Sequence, residues 1–113
     1  MNGVKIIILK IFLIIVTIFS LNMHSMVVID VRTQEEFDDS HIQESLHIEW
    51  QDILSIEDKT IPKDEAIYLY CRSGNRSGKA AKILIESGYT NITNAGSITD
   101  ASKLLKLKII KIN

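Results

Sequence analysis

Between residues 26 and 105 two kinds of apolar pattern alternate. Met26-Val27-Val28-Ile29-Asp30-Val31 is a nearly continuous β-branched run, as expected for a parallel strand covered on both faces. Ser45 to Ile48 reads as a short second strand, Ala66 to Tyr70 as a central one and Asn91 to Asn94 as a fourth. Helical spacing fills the gaps. Thr33 followed by Glu36 is a capping-box pattern that opens a short helix through Asp39, with Glu35, Glu36, Asp38 and Asp39 as its solvated, acidic face. Trp50 to Ile56 offers a second amphipathic helix. In the run from Ser77 to Ser87, Ala80, Ala81, Leu84 and Ile85 fall on one side and Lys79, Lys82 and Glu86 on the other, with Gly88 as the stop. Ser97-Ile98-Thr99-Asp100 opens a last helix. Strands and helices of these lengths in alternation predict an α/β domain with a central, mostly parallel sheet flanked by helices.

The two ends depart from this pattern. Residues 1–25 read as a targeting segment: Lys5 and Lys10 precede a run from Ile11 to Leu21 that is apolar except for Thr17 and Ser20. As a helix that run spans about 16 Å, roughly half a bilayer core, which suits a signal peptide better than a membrane span. An uncleaved N-terminal anchor is the alternative. In a bacterium, export would place the domain in the periplasm or at the outer face of the inner membrane. Residues 26–102 form the domain, and residues 103–113 a basic, apolar tail. The tail reads as an extension of the last helix packed on the sheet, or as a membrane-surface contact.

A chain of 113 residues with a formal net charge of −1 is expected to hold one small domain and gives no sign of nucleic-acid binding. Its single cysteine excludes an internal disulfide framework. Three histidines without ligand spacing and one cysteine make no zinc site, and no cofactor is expected. From Arg72 onward eight Lys and Arg residues stand against Glu86 and Asp100, a balance that suits an anionic ligand.

That single cysteine lies in Tyr70-Cys71-Arg72-Ser73-Gly74-Asn75-Arg76-Ser77-Gly78, between the central strand and the following helix. A nucleophile at a strand end, followed by a Gly-containing loop and a helix N-terminus, meets loop N–H groups and the positive end of the helix dipole. Arg72 and Arg76 add fixed charge. A free thiol with a pKa near 8.5 is only about 3% ionised at pH 7, and lowering that pKa by about two units makes it about 75% thiolate. An inert buried cysteine would sit in apolar surroundings instead.

Cys71-Arg72-Ser73-Gly74-Asn75-Arg76-Ser77 resembles the active-site loop of rhodanese-type sulfurtransferases. Ile29-Asp30-Val31-Arg32-Thr33, Glu35-Glu36-Phe37 and His41-Ile42 resemble the family's N-terminal signature, and Gly88-Tyr89 and Asn94-Ala95-Gly96 its later landmarks. The resemblance runs from about Met26 to about Asp100. The short form behind a leader is most similar to the phage-shock-protein-E-like branch. The family usually carries a Pro/Gly turn where this chain has Gln43-Glu44-Ser45.

The resemblance implies a small rhodanese-like fold, with no metal or cofactor, and a two-step transfer. Cys71 takes a sulfur from an anionic donor such as thiosulfate and passes it as a persulfide to cyanide or a thiol. Arg72, Ser73, Gly74, Asn75, Arg76 and Ser77 would form the substrate-binding loop, with Arg72 attracting the donor and Arg76 bracing the loop through backbone or carboxylate hydrogen bonds. Asp30 and Arg32 would be a buried supporting pair, and Ser77 a helix cap and sulfur contact. A monomer is expected. Two alternatives stand beside the enzyme: a non-catalytic persulfide-carrier or partner-binding module, and a cysteine-dependent phosphatase or arsenate reductase. In phosphatases of related fold the cysteine and arginine enclose a longer loop; here they enclose only Arg72, Ser73, Gly74 and Asn75.

Overall fold

The computed structural model describes residues 3–11 and 25–112. Residues 3–11 are helical, and the rest of the expected leader run lies outside the described residues. Among the described residues no helix is long and apolar enough to cross a membrane.

The β-branched run predicted as a strand is β1 (Met26–Asp30). It lies between β3 (Leu46–His47) and β4 (Ala66–Cys71), and β5 (Ile92–Ser97) completes a parallel sheet in the order β3-β1-β4-β5. Because side chains alternate across a strand, β1 and β4 each feed two cores. Ile29, Ile67, Leu69 and Cys71 pack on one face with Ile53, Ile56, Ala80, Ala81 and Leu84. Val28 and Tyr70 pack on the other with Ile42, Ala95 and Ala101. Each fully buried Ile or Leu contributes on the order of 1.5–3 kcal/mol, so both faces must be covered.

Two helices and a 3-10 helix do the covering, and a short helix that buries no residue precedes them. The Thr33–Glu36 capping box is present at the start of α1 (Gln34–Asp39). The segment expected as a second amphipathic helix is a 3-10 helix, longer than foreseen, over Trp50–Lys59 and kinked at Asp52. Ile53 and Ile56, both fully buried, lie three apart and follow Trp50 by the same step; this spacing puts them on one edge of a three-residue turn. Helix α2 (Asn75–Glu86) buries Ser77, Ala80, Ala81 and Leu84. Ile85, expected on that side, is 57% exposed because it falls just beyond the edge of the 77/80/81/84 stripe. Gly88, at φ +96°, ends the helix as expected, and Tyr89 N–H returns to Leu84 C=O.

The C-terminal residues do not extend the last helix to the end of the tail, as one expectation had it. Helix α3 (Ile98–Leu105), capped by Ser97, stops at Lys106, which sits in the left-handed region at φ +57°. The chain then turns, and β6 (Ile109–Lys111) pairs antiparallel with β2 (Ser40–Ile42), with Ile110 opposite His41. Lys106-Leu107-Lys108-Ile109 alternates with a period of two, the strand signal, and β-branched Ile109 and Ile110 favour it.

At the end of β1 lies a buried ion pair. Arg32 Nη2 is 2.7 Å from Asp30 Oδ2, Arg32 Nε bonds both carboxylate oxygens, and the Arg32 N–H donates to Oδ1 at 2.9 Å. Arg32 Nη2 also donates to Ser40 C=O. Beside it the Tyr70 hydroxyl accepts the Ile42 N–H at 3.0 Å, and burial pushes that phenol well above its ordinary pKa. The pair thus knits β1 to β2 beneath the loops at the carboxyl ends of the strands. Removing one partner strands the other charge in the interior. Asp30→Ala is therefore expected to lower stability by about 3–5 kcal/mol in urea denaturation; a loss below about 1 kcal/mol would contradict this role.

Candidate active site

Strand β4 delivers Cys71 to the carboxyl edge of the sheet, where such folds place their ligands. Only Arg72, Ser73 and Gly74 separate it from α2. This turn is tight enough to require glycine: Gly74 has φ +92°, and a Cβ there would lie 3.4 Å from the Cα of Gly96. No side chain caps the N-terminus of α2, so its first N–H groups remain for another acceptor. The acceptor is the sulfur. Gly74 N–H donates to Cys71 Sγ at 3.0 Å, and Ser77 Oγ lies 3.3 Å from it.

The whole of Cys71 is buried. Burial alone would push the thiol up, but the Ser77 hydroxyl and the N–H groups of Ser77, Ser73 and Gly74 outweigh it and hold the thiol below its ordinary pKa. The sulfur environment thus depends first on the loop's own donors, with less from the arginines than the sequence suggested.

Arg76 is bound to a carboxylate, not to the sulfur. Its guanidinium forms a two-pronged bond to Glu36, Nη1 to Oε1 at 2.6 Å and Nη2 to Oε2 at 3.0 Å. Glu36 Oε1 also accepts the N–H and hydroxyl of Thr33. Glu36 is therefore not part of a solvated acidic face: its capping-box carboxylate spans from α1 to the start of α2. This is the carboxylate brace expected for Arg76. Arg72, by contrast, is exposed and has no side-chain partner among the described residues, which leaves its charge available to an incoming anion. Ser73 and Asn75 are exposed on the same loop. Asp30 and Arg32 stay with one another beneath it.

One participant was missed as a site residue. Strand β5 carries a bulge: Asn94 faces Leu69 and Gly96 faces Tyr70, so Ala95 is the extra residue. Asn94 Nδ2 donates to Gly74 C=O at 3.0 Å, and Asn94 Oδ1 accepts both the Ser77 hydroxyl at 2.7 Å and the Gly96 N–H at 3.0 Å. The sequence marked Asn94-Ala95-Gly96 as a landmark, but nothing in its spacing announces a bulge that turns an amide toward a loop about 20 residues upstream.

Comparison with known proteins places this geometry. The family model of the rhodanese-like domain matches residues 19–100. The thiosulfate sulfurtransferase PspE of Escherichia coli (strain K12) is 36% identical over 73 residues, 64% of this chain and 70% of that protein. The adenylyltransferase and sulfurtransferase UBA4 of Candida albicans is 36% identical over 78 residues, 63% of this chain but only 18% of that protein. A solved rhodanese with anions from E. coli superposes with a TM-score of 0.69 at 31% identity, covering 77% of this chain and 99% of that one.

The Glu36–Arg76 bond has a pH signature. Arg76, against the cost of burial, holds the Glu36 carboxyl down to about 2 from an ordinary 4.5. A depressed acid contributes stability that is complete above its unfolded pKa and lost as pH falls through the folded one. Wild type should therefore lose more melting temperature between about pH 4.5 and pH 2 than Glu36→Gln does, measured by circular dichroism. Parallel curves would contradict the brace.

Proposed function

The chain belongs to the rhodanese-like family of sulfurtransferases, and from that premise we propose that it is a thiosulfate sulfurtransferase working through a Cys71 persulfide. The observation that carries the reading is the buried Cys71 sulfur ringed by N–H and hydroxyl donors, which favours the thiolate. The thiolate attacks the outer sulfur of thiosulfate. The bond between the two donor sulfurs breaks, its electron pair leaves with sulfite, and a persulfide anion remains on Cys71. Cyanide or a thiolate then attacks the terminal sulfur, carries it away, and the Cys71 thiolate returns as the leaving group. Loop N–H groups would hold the negative charge through both steps, as an oxyanion hole does for oxygen.

Arg72, exposed at the loop, would draw in the anionic donor. Because Cys71 has no exposed surface, the loop from Arg72 to Gly74 must shift for the donor's sulfur to reach it. The Arg76–Glu36 bond argues against phosphate chemistry, which would need that guanidinium turned to the anion. The carrier module keeps the first step and lacks turnover. The basic, apolar N-terminal segment supports a place outside the cytoplasm, in the periplasm or at the membrane's outer face.

Thiocyanate formation from thiosulfate and cyanide is expected from wild type and absent from Cys71→Ser. Intact mass after thiosulfate should rise by one sulfur, about 32 Da, and return on adding cyanide. Mass gain without turnover would mark a carrier; no mass gain would contradict the persulfide route, and hydrolysis of an aryl phosphate would turn the reading to a phosphatase.

A further inference from the structure

Ser77 is completely buried and carries one hydroxyl proton, and two neighbours compete for it. Its oxygen lies 2.7 Å from Asn94 Oδ1 and 3.3 Å from Cys71 Sγ. The orientation of the Asn94 amide is set independently of Ser77. The Gly96 N–H at 3.0 Å from Oδ1 can only donate, and the Gly74 C=O at 3.0 Å from Nδ2 can only accept. Turning the amide over would set donor against donor and acceptor against acceptor. Asn94 therefore presents an oxygen to Ser77, and the hydroxyl proton points to it.

Cys71 then meets only the lone pairs of the Ser77 oxygen, and its own S–H must be the donor. This is the arrangement of the neutral thiol. A thiolate has no proton to give. For Ser77 to help it, the hydroxyl must turn from Asn94 to the sulfur, leaving Oδ1 with the Gly96 N–H alone.

We propose that Asn94 is a positioning residue that competes with the Cys71 sulfur for the single proton of the Ser77 hydroxyl, and so governs how readily the nucleophile ionises. The proposal rests on the reading of Cys71 as the nucleophile, not on the identity of the sulfur donor. The bulge at Ala95 creates the competition, because it sets the Gly96 N–H and the Asn94 side chain around one point beside the loop. The charged groups near the sulfur are Arg72 on its loop, Arg76 with Glu36, the Asp30–Arg32 pair below, and Asp100 of α3 against Gly96. All of them stay in place in the variants below.

The test is the pH dependence of Cys71 alkylation by iodoacetamide in four full-length proteins: wild type, Asn94→Asp, Ser77→Ala and the double variant. Aspartate keeps the size of asparagine and accepts the Ser77 proton more strongly. It should raise the Cys71 midpoint by about one unit more where Ser77 is present than where alanine replaces it. Equal shifts in the two backgrounds would mean that the new charge acts through space alone, and would overturn the proposal. If circular dichroism shows that the aspartate variant does not fold, Asn94→Ala carries the same cycle with the sign reversed. Its midpoint should fall only where Ser77 is present, and equal shifts again overturn the proposal. No sulfur donor enters this titration, so failure of persulfide formation would strike the proposed activity and leave this result standing.

Discussion

A sulfur atom held in a ring of hydrogen-bond donors, with no surface of its own exposed to water, is the constraint the rest of this structure serves. Burial by itself disfavours the thiolate. A hydrogen bond to a charged group is worth about 1.5–3 kcal/mol, and one pKa unit is about 1.4 kcal/mol, so two or three well-aimed donors reverse the sign. Gly74 N–H at 3.0 Å is such a donor, joined by the N–H groups of Ser73 and Ser77 and, when its proton turns from Asn94 to the sulfur 3.3 Å away, by the Ser77 hydroxyl. They aim inward only because a three-residue turn runs straight from β4 into α2. That turn requires Gly74 at φ +92° packed on Gly96.

Three parts of the chain keep the turn in shape, each by a different interaction. From α1, Glu36 grips Arg76 in the first turn of α2. From β5, Asn94 holds the carbonyl of Gly74 and the hydroxyl of Ser77. From below, the Asp30–Arg32 pair ties the end of β1 to β2, and β2 in turn is paired by the C-terminal β6. Of the two loop arginines, one is committed to structure and one is left in solvent. This division suits a site that must both keep its own geometry and attract an anion.

Much of this could be read from the residues, and the failures have physical reasons. The strands and α2 follow from local runs, so β1, β4 and the Cys71 loop were legible, as was the capping box at Thr33. A capping glutamate normally spends its carboxylate on its own helix; the capping-box pattern gives no hint that Glu36 also binds a partner 40 residues away. The bulge at Ala95 was hidden for the same reason, since register is a property of two strands and not of one. At the C-terminus, Leu104, Leu105 and Leu107 suggested a continuing helix. The alternation from Lys106 to Ile109 was the better guide, and the left-handed Lys106 separates the two regimes. Trp50, Ile53 and Ile56 show the same ambiguity, because a spacing of three fits an α-helix loosely and a 3-10 helix closely.

The central claim is that the donors of this fold make its one cysteine easier to ionise than a free thiol, despite its burial. The titration of Cys71 in the wild-type protein, followed through the ultraviolet absorbance of the thiolate, tests it most directly. The account predicts a midpoint clearly below that of a free cysteine, about 8.5, with a single transition that vanishes in Cys71→Ser. A midpoint at or above the free value would mean that burial wins over the loop's donors, and would contradict the account.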